Sequence, residues 1–208
     1  AVLFGGSEEQ KQRFLPKIAS GELKTAMAFT EPSGGTDLLG GMKSRATKVD
    51  GGWLLKGEKI WSTGADVADY LLVMARSDPN ASKRSDGISI FFVPRHSEGI
   101  TVTPLAKLGM RAVSSCTVAM EDVFVPDELV LGEPHKGWYH STKPLNNERL
   151  VNAATCLGML DGVIEDAVDH MQTRQAFGKP IGQFQALQHY LADMAMWQKQ
   201  GELLMLHT

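Results

Sequence analysis

The hydrophobic period changes twice along the chain, and that change limits the fold more than any other feature. Ser7-Glu8-Glu9-Gln10 has the capping-box pattern and is followed by Phe14, Leu15 and Ile18, which predicts a short helix ending near Gly21. From about Thr25 to Val130 the pattern becomes short strands broken by turns. Lys43–Val49 alternates weakly, Asp50-Gly51-Gly52 turns, and Trp53–Trp61 runs back, as expected of a hairpin. Further strands are expected at Asp69–Arg76, Gly87–Pro94, Ile100–Pro104 and Ser115–Val125, with an exposed loop at Ser77–Asp86. From Asn146 the period turns helical through Leu150, Ala154, Leu157, Ile164, Ala167 and Met171. Gly178-Lys179-Pro180 interrupts it, and a second helix follows with Leu187, Leu191, Met194 and Leu204 as its apolar positions. Neither helix has the regular heptads of a coiled coil. The expected architecture is a compact β domain between helical segments.

Composition narrows the function classes. With 208 residues, 43% of them hydrophobic, the chain has enough apolar surface for a sizeable core. A net charge of −3 argues against a nucleic-acid binder that relies on a strong basic field. No apolar run approaches the roughly 20 residues needed to span a bilayer. Cys116 and Cys156 are the only cysteines and lie far apart, so neither a disulfide framework nor a cysteine-based zinc site is offered. These features predict a soluble globular chain of a reducing compartment. Its first residue is Ala1, and its last residues, Gly201 to Thr208, still read as helix, so the sequence is expected to be a piece of a longer chain.

Two stretches carry candidate chemistry. In Ala28-Phe29-Thr30-Glu31-Pro32-Ser33-Gly34-Gly35-Thr36-Asp37 a strand runs into a turn whose freed N–H groups, with the Thr36 hydroxyl, suit a phosphate. On spacing alone an ordinary glycine-containing loop capped by Asp37 is the simpler reading. In Lys59-Ile60-Trp61-Ser62-Thr63-Gly64 a Trp with hydroxyl neighbours suits the face of a flat heteroaromatic cofactor, although a Trp packed in the core is the commoner case. The histidines lack metal-ligand spacing, and there is no HExxH, G-x-S-x-G, Walker or Rossmann pattern.

The order and wording of the motifs go further: they resemble the acyl-CoA dehydrogenase family along essentially the whole chain. Thr30 to Asp37 looks like the family's first signature, with Thr36 where serine is also usual. Gly57 to Thr63 looks like its flavin-contacting strand, with Ser62 where isoleucine is more typical. Glu121-Asp122-Val123-Phe124-Val125-Pro126 resembles the strand exit from the β domain, and Leu145-Asn146-Asn147-Glu148-Arg149 the opening of the next helix. Arg174 to Ile181 and Phe184 to Gln188 complete the match. One such motif is weak; five in order at matching separations are strong.

The resemblance implies an α+β fold with a central antiparallel β-barrel or sandwich domain, cut at both ends. Residues 1–24 would end an N-terminal helical domain, 25–132 form the β domain, and 133–208 start a C-terminal helical domain. It implies FAD as cofactor, with Met27, Phe29, Thr30, Gly35 and Thr36 running along it and Trp61, Ser62 and Thr63 at its ring. Arg174, Phe177 and Gln185 match residues that reach the FAD of a neighbouring subunit, in a homotetramer or homodimer. Thr36, Ser77, Asn146 and Arg149 match acyl-CoA contacts, Asn146 standing where some relatives have aspartate. Arg174 and Gln185 also read as ordinary helix-end residues, Ser77 as a polar loop residue, and Arg149 as half of an ion pair.

In that family a carboxylate removes the proton next to a thioester carbonyl while hydride leaves the neighbouring carbon for flavin, giving a trans-2-enoyl-CoA. Most members take the base from a glutamate near the C-terminus. Glu148 matches the base position of the isovaleryl-CoA and long-chain branches, but also reads as a first-turn carboxylate favoured by the helix dipole. An electron-transfer flavoprotein would accept the electrons. The implied location is cytoplasmic in a bacterium and the mitochondrial matrix in a eukaryote. An acyl-CoA oxidase, a flavin monooxygenase relative, or a catalytically silent piece are the alternatives.

Overall fold

A computed structural model describes all 208 residues. The chain divides into two compact units, Ala1–Pro144 and Leu145–Thr208, which are taken in turn.

The first unit opens with a short helix α1 (Val2–Gly5) and α2 (Glu8–Ala19). The capping box at the start of α2 is formed: Gln10 N donates to Ser7 Oγ at 3.2 Å and Ser7 N to Gln10 Oε1 at 3.1 Å. Phe14 anchors the helix by stacking on Phe92, with ring centroids 4.4 Å apart. Seven strands follow in one sheet that curls into a half-barrel. They are β1 (Thr25–Ala28), β2 (Arg45–Val49), β3 (Gly52–Thr63), β4 (Tyr70–Arg76), β5 (Ile88–Pro94), β6 (Ile100–Pro104) and β7 (Ser115–Pro126). A four-residue helix α3 (Leu38–Gly41) lies between β1 and β2.

The sheet is mainly antiparallel. β2 and β3 form the expected hairpin, β7 pairs with β3 and with β6, and β5 pairs with β4. Along its other edge β4 runs parallel to β1 and then touches β2 at Arg45↔Arg76. β4 and β5 are buried along almost their whole length, which explains why they read as continuous apolar runs rather than alternating ones. The segment after β7 returns to β5 through Leu131 N to Ile90 O, 2.8 Å, and a bridge between Ile88 and Lys136.

The long helix α4 (Gly137–Thr173) begins about two turns upstream of the expected Leu145. Its first turns are secured by packing: Gly137 and Ser141 are buried and Trp138 packs on the sheet core. Pro144 is carried inside the helix. Glu148 therefore sits in the helix interior, which removes the first-turn dipole argument for its presence.

In the second unit, α4 is followed by a small hairpin, β8 (Gln175–Ala176) with β9 (Lys179–Pro180), and by α5 (Gln185–His207). α4 and α5 meet closely at Gly201, where a Cβ would lie 2.8 Å from Leu157 Cδ2, and Gln198 donates to Asp161. No helix in the chain is long and apolar enough to cross a membrane.

Candidate functional site

β1 delivers Phe29, Thr30 and the turn that follows to the end of β3. Ile60 N donates to Thr30 O at 2.9 Å, so the two stretches singled out in the sequence lie side by side. Glu31 and Gly34 close the turn through a two-residue bridge. Gly34 and Gly41 then pass so closely that a Cβ on Gly41 would stand 2.9 Å from Gly34 Cα. Asp37 caps α3 by accepting from Gly40 N at 2.9 Å, and Ser33 Oγ donates to Gly41 O at 2.8 Å. The amides of Gly35, Thr36 and Asp37 donate to nothing in the chain, and all three residues are exposed. Three successive free, exposed amides in a glycine turn offer donors suited to an anion.

β3 is irregular where it meets this turn. Its register against β7 shifts between Lys59 and Ser62, and Trp61 takes φ 60, an uncommon conformation for a bulky residue. The bulge turns Trp61 outward, leaving its side chain 59% exposed, with Thr63 exposed beside it and Met27 partly exposed on β1. Phe29 and Ser62 are buried in the core. The Ser62 hydroxyl is buried with no partner.

Beneath that surface lies a buried ion pair that the sequence reading did not identify. Lys59 Nζ is 2.7 Å from Glu31 Oε1 and 3.1 Å from Phe29 O, and neither charged side chain is more than 4% exposed. Glu31 also accepts from Lys43 N at 2.6 Å and Ser44 N at 3.0 Å. Burial opposes ionisation of Glu31, but the Lys59 cation and these hydrogen bonds outweigh it and hold its carboxyl below the usual range. Burial pulls Lys59 below the usual lysine range, against the opposing pull of Glu31. The sequence held one clue: Trp53, Leu55 and Lys59 share the inward face of β3, and an inward lysine demands an acid partner.

Ser77, just past β4, is half-buried and fully engaged. Its Oγ lies 2.7 Å from Ser89 Oγ and 2.8 Å from His135 Nδ1. Neither partner was a candidate in the sequence; His135 is 58 residues away from Ser77, too remote for any local pattern to connect them.

In the second unit, Asn146 Oδ1 accepts from Arg149 Nη1 at 2.6 Å, one turn along α4. Glu148 is exposed between them and makes no ion pair or hydrogen bond through its side chain. Arg174 directly follows α4, with Ile181 N donating to its carbonyl at 2.9 Å across the hairpin. Phe177 occupies the hairpin turn at φ 53 and is 95% exposed, its ring 6.0 Å edge-on to Phe184. Gln185 is exposed at the first position of α5.

Residues 26–123 match the description "Acyl-CoA dehydrogenase, middle domain", and residues 135–208 match "Acyl-CoA dehydrogenase, C-terminal domain". An isovaleryl-CoA dehydrogenase, mitochondrial, of Oryza sativa subsp. japonica is 43% identical over 190 residues, 91% of this chain and 46% of the relative. The crystal structure of an acyl-CoA dehydrogenase from Geobacillus kaustophilus superposes with TM-score 0.93 at 35% identity, over 98% of this chain and 54% of that one. A Mycobacterium smegmatis glutaryl-CoA dehydrogenase in complex with FADH2 gives 0.90 at 31% identity, over 99% and 51%. The chain spans about half the length of the relatives it matches.

Proposed function

The chain belongs to the acyl-CoA dehydrogenase family, and from that premise we propose that it serves FAD-dependent α,β-dehydrogenation of an acyl-CoA thioester to a trans-2-enoyl-CoA. The observation that carries this reading is the outward, strained Trp61 set beside a turn with three free amides. That surface fits a flavin nucleotide. A flat apolar face meets a ring system, Thr63 offers a hydroxyl beside it, and the Gly35–Asp37 amides meet a pyrophosphate. The FADH2 complex of a structural neighbour supports the same assignment.

Met27, Phe29, Thr30, Gly35, Thr36, Trp61, Ser62 and Thr63 would hold the cofactor, Phe29 and Ser62 through their backbones. Arg174, Phe177 and Gln185 would reach the FAD of a second subunit. The exposure of the Phe177 ring supports that role, since a bare phenyl group gains most from a partner surface. The flavin, when bound, supplies the two-electron acceptor for hydride. Glu148 is the base that takes the proton next to the thioester carbonyl. Its side chain is exposed and free of ion pairs, so it is open to a substrate. Thr36, Ser77, Asn146 and Arg149 contact the acyl-CoA, with Asn146 holding the Arg149 guanidinium in place. Residues 25–132 act as the β domain and 133–208 as helical domain, with an electron-transfer flavoprotein as electron acceptor. A eukaryotic source would place the protein in the mitochondrial matrix and a bacterial one in the cytoplasm; the rice relative is named as mitochondrial.

The test is anaerobic visible absorbance of the FAD-loaded protein during titration with short, branched and long acyl-CoAs. The isovaleryl-CoA relative puts short branched chains first. Bleaching of the flavin by one class establishes dehydrogenation; bound flavin that no acyl-CoA bleaches contradicts it. Cofactor contacts are tested separately. Trp61→Ala and Arg174→Met are each expected to weaken FAD retention about tenfold, in line with loss of one aromatic or charge-assisted contact. Full retention in both variants would remove these residues from the site.

A further inference from the structure

The loop between β4 and β5, residues 77–86, is tied down beside the glycine turn by an arginine that pairs with no acid. Arg76, the last residue of β4, is half-buried and its guanidinium donates only to backbone carbonyls. Nη2 donates to Leu39 O at 3.2 Å and to Arg84 O at 3.3 Å, and Nη1 to Asp86 O at 3.4 Å. One nitrogen therefore joins α3, which directly follows the glycine turn, to the far side of the loop. Asp86 N donates to Lys83 O at 3.0 Å, and the Asp86 carboxylate accepts from the Tyr139 hydroxyl at 2.9 Å. The backbone at Arg84 is thus held in place from both sides.

The Arg84 side chain is not part of this fastening. It is 77% exposed, its guanidinium donates no hydrogen bond, and its one ion-pair partner is Asp37, with Nη1 and Oδ2 4.0 Å apart. An exposed pair at that distance is worth little. Asp37 is meanwhile engaged through its other oxygen, which accepts from Gly40 N at 2.9 Å. Asp37 is also the last of the three residues whose amides are free. A guanidinium with unused donors therefore stands beside a run of unused backbone donors, and both suit the same kind of anion. The acids of the loop itself are occupied: Asp78 accepts from Asn80 N and Asp86 from Tyr139. Lys83, next to Arg84, is exposed and adds a second positive charge.

We infer that Arg84 is a phosphate-binding residue, whose guanidinium acts with the Gly35–Asp37 amides on a phosphate ester or anhydride of a bound nucleotide. This rests on the reading of the surface as a flavin and acyl-CoA site. Under that reading two nucleotides pass here, FAD at the glycine turn and CoA at Ser77, the first residue of the same loop. Their phosphates present the same chemistry, and the planar fork of a guanidinium matches two oxygens of either. A phosphate carries more charge than the Asp37 carboxylate and meets Arg84 at hydrogen-bond distance, so it displaces the weak 4.0 Å pair. Arg76 keeps the loop, and with it Arg84, at the turn whether or not that pair is made.

The test compares wild type, Arg84→Gln and Arg84→Lys in three measurements: FAD retention, acyl-CoA affinity of the FAD-loaded protein, and affinity for the matching S-acyl-pantetheine, which carries no phosphate. Arg84→Gln is expected to weaken one of the two nucleotides about fivefold at low ionic strength, and less at about 0.15 M salt. Arg84→Lys keeps the charge and should recover most of the loss. The thermal midpoint should not move, because the side chain is exposed and supports no other group. Weaker FAD retention assigns Arg84 to the flavin diphosphate. Weaker acyl-CoA binding with unchanged acyl-pantetheine binding assigns it to the phosphates of CoA. Wild-type affinity for both nucleotides in Arg84→Gln overturns the inference. So does an equal loss of acyl-CoA and acyl-pantetheine with FAD retention intact, or a loss that neither salt nor Arg84→Lys relieves. Wild type that binds neither FAD nor acyl-CoA overturns the proposed function itself.

Discussion

Lys59→Met destabilises the protein by about 3–5 kcal/mol, the range for breaking a buried pair and leaving one charge alone. The substitution keeps the length of the side chain but strands Glu31 at 4% exposure with only two backbone amides for its charge. It also frees the Phe29 carbonyl and unpins the glycine turn from β3. The double variant Glu31→Gln/Lys59→Met should recover much of the loss, because it leaves no net charge in the core; thermal or denaturant unfolding of wild type, Lys59→Met, Glu31→Gln and the double variant measures the coupling. No recovery would mean that the pair acts through packing alone. The pH dependence has a fixed sign. Glu31 is held below the usual carboxylate range in the fold, so its stabilisation is complete above the ordinary carboxyl pKa of about 4 and is lost as pH falls toward the folded value. Wild type should thus lose stability in acid more steeply than the double variant.

This pair also shows what a sequence discloses and what it withholds. Strands were legible wherever one period ruled, and the hairpin of Arg45–Val49 with Gly52–Thr63 was announced by its Asp-Gly turn. The start of α4 was not. Its first turns carry Gly137, Trp138 and Tyr139, poor helix formers whose state is decided by docking onto the sheet, a tertiary term invisible in local propensity. Among the candidate site residues, wording marked Trp61 and the glycine turn, but only the fold shows why they lie together: a β-bulge and one hydrogen bond from Ile60 to Thr30. The inward register of Lys59 hinted at a partner without naming it. Ser89 and His135 gave no signal, since their bond to Ser77 is made across the sheet by residues with no shared pattern.

Glu148→Gln is expected to slow reduction of bound flavin by acyl-CoA about 10²–10⁴-fold, the usual contribution of a general base. FAD retention and acyl-CoA affinity should stay unchanged. The replacement keeps shape and hydrogen-bonding capacity and removes only basicity. Its structural consequences are small, because Glu148 is exposed in the interior of α4 and supports no other side chain. The neighbouring arginine is no obstacle: Arg149 is held by Asn146 Oδ1 at 2.6 Å, away from the glutamate, so no fixed cation keeps the carboxylate from taking a proton. An Arg149 pairing with Glu148 would instead have favoured the ionised form and opposed proton abstraction. Stopped-flow absorbance with a single turnover isolates this step from electron delivery to any acceptor. A Glu148→Gln protein that still bleaches at the wild-type rate places the base elsewhere and leaves Glu148 as a solvated helix residue. Loss of bleaching with intact flavin and substrate binding joins the one free carboxylate of the Leu145–Arg149 motif to the chemistry.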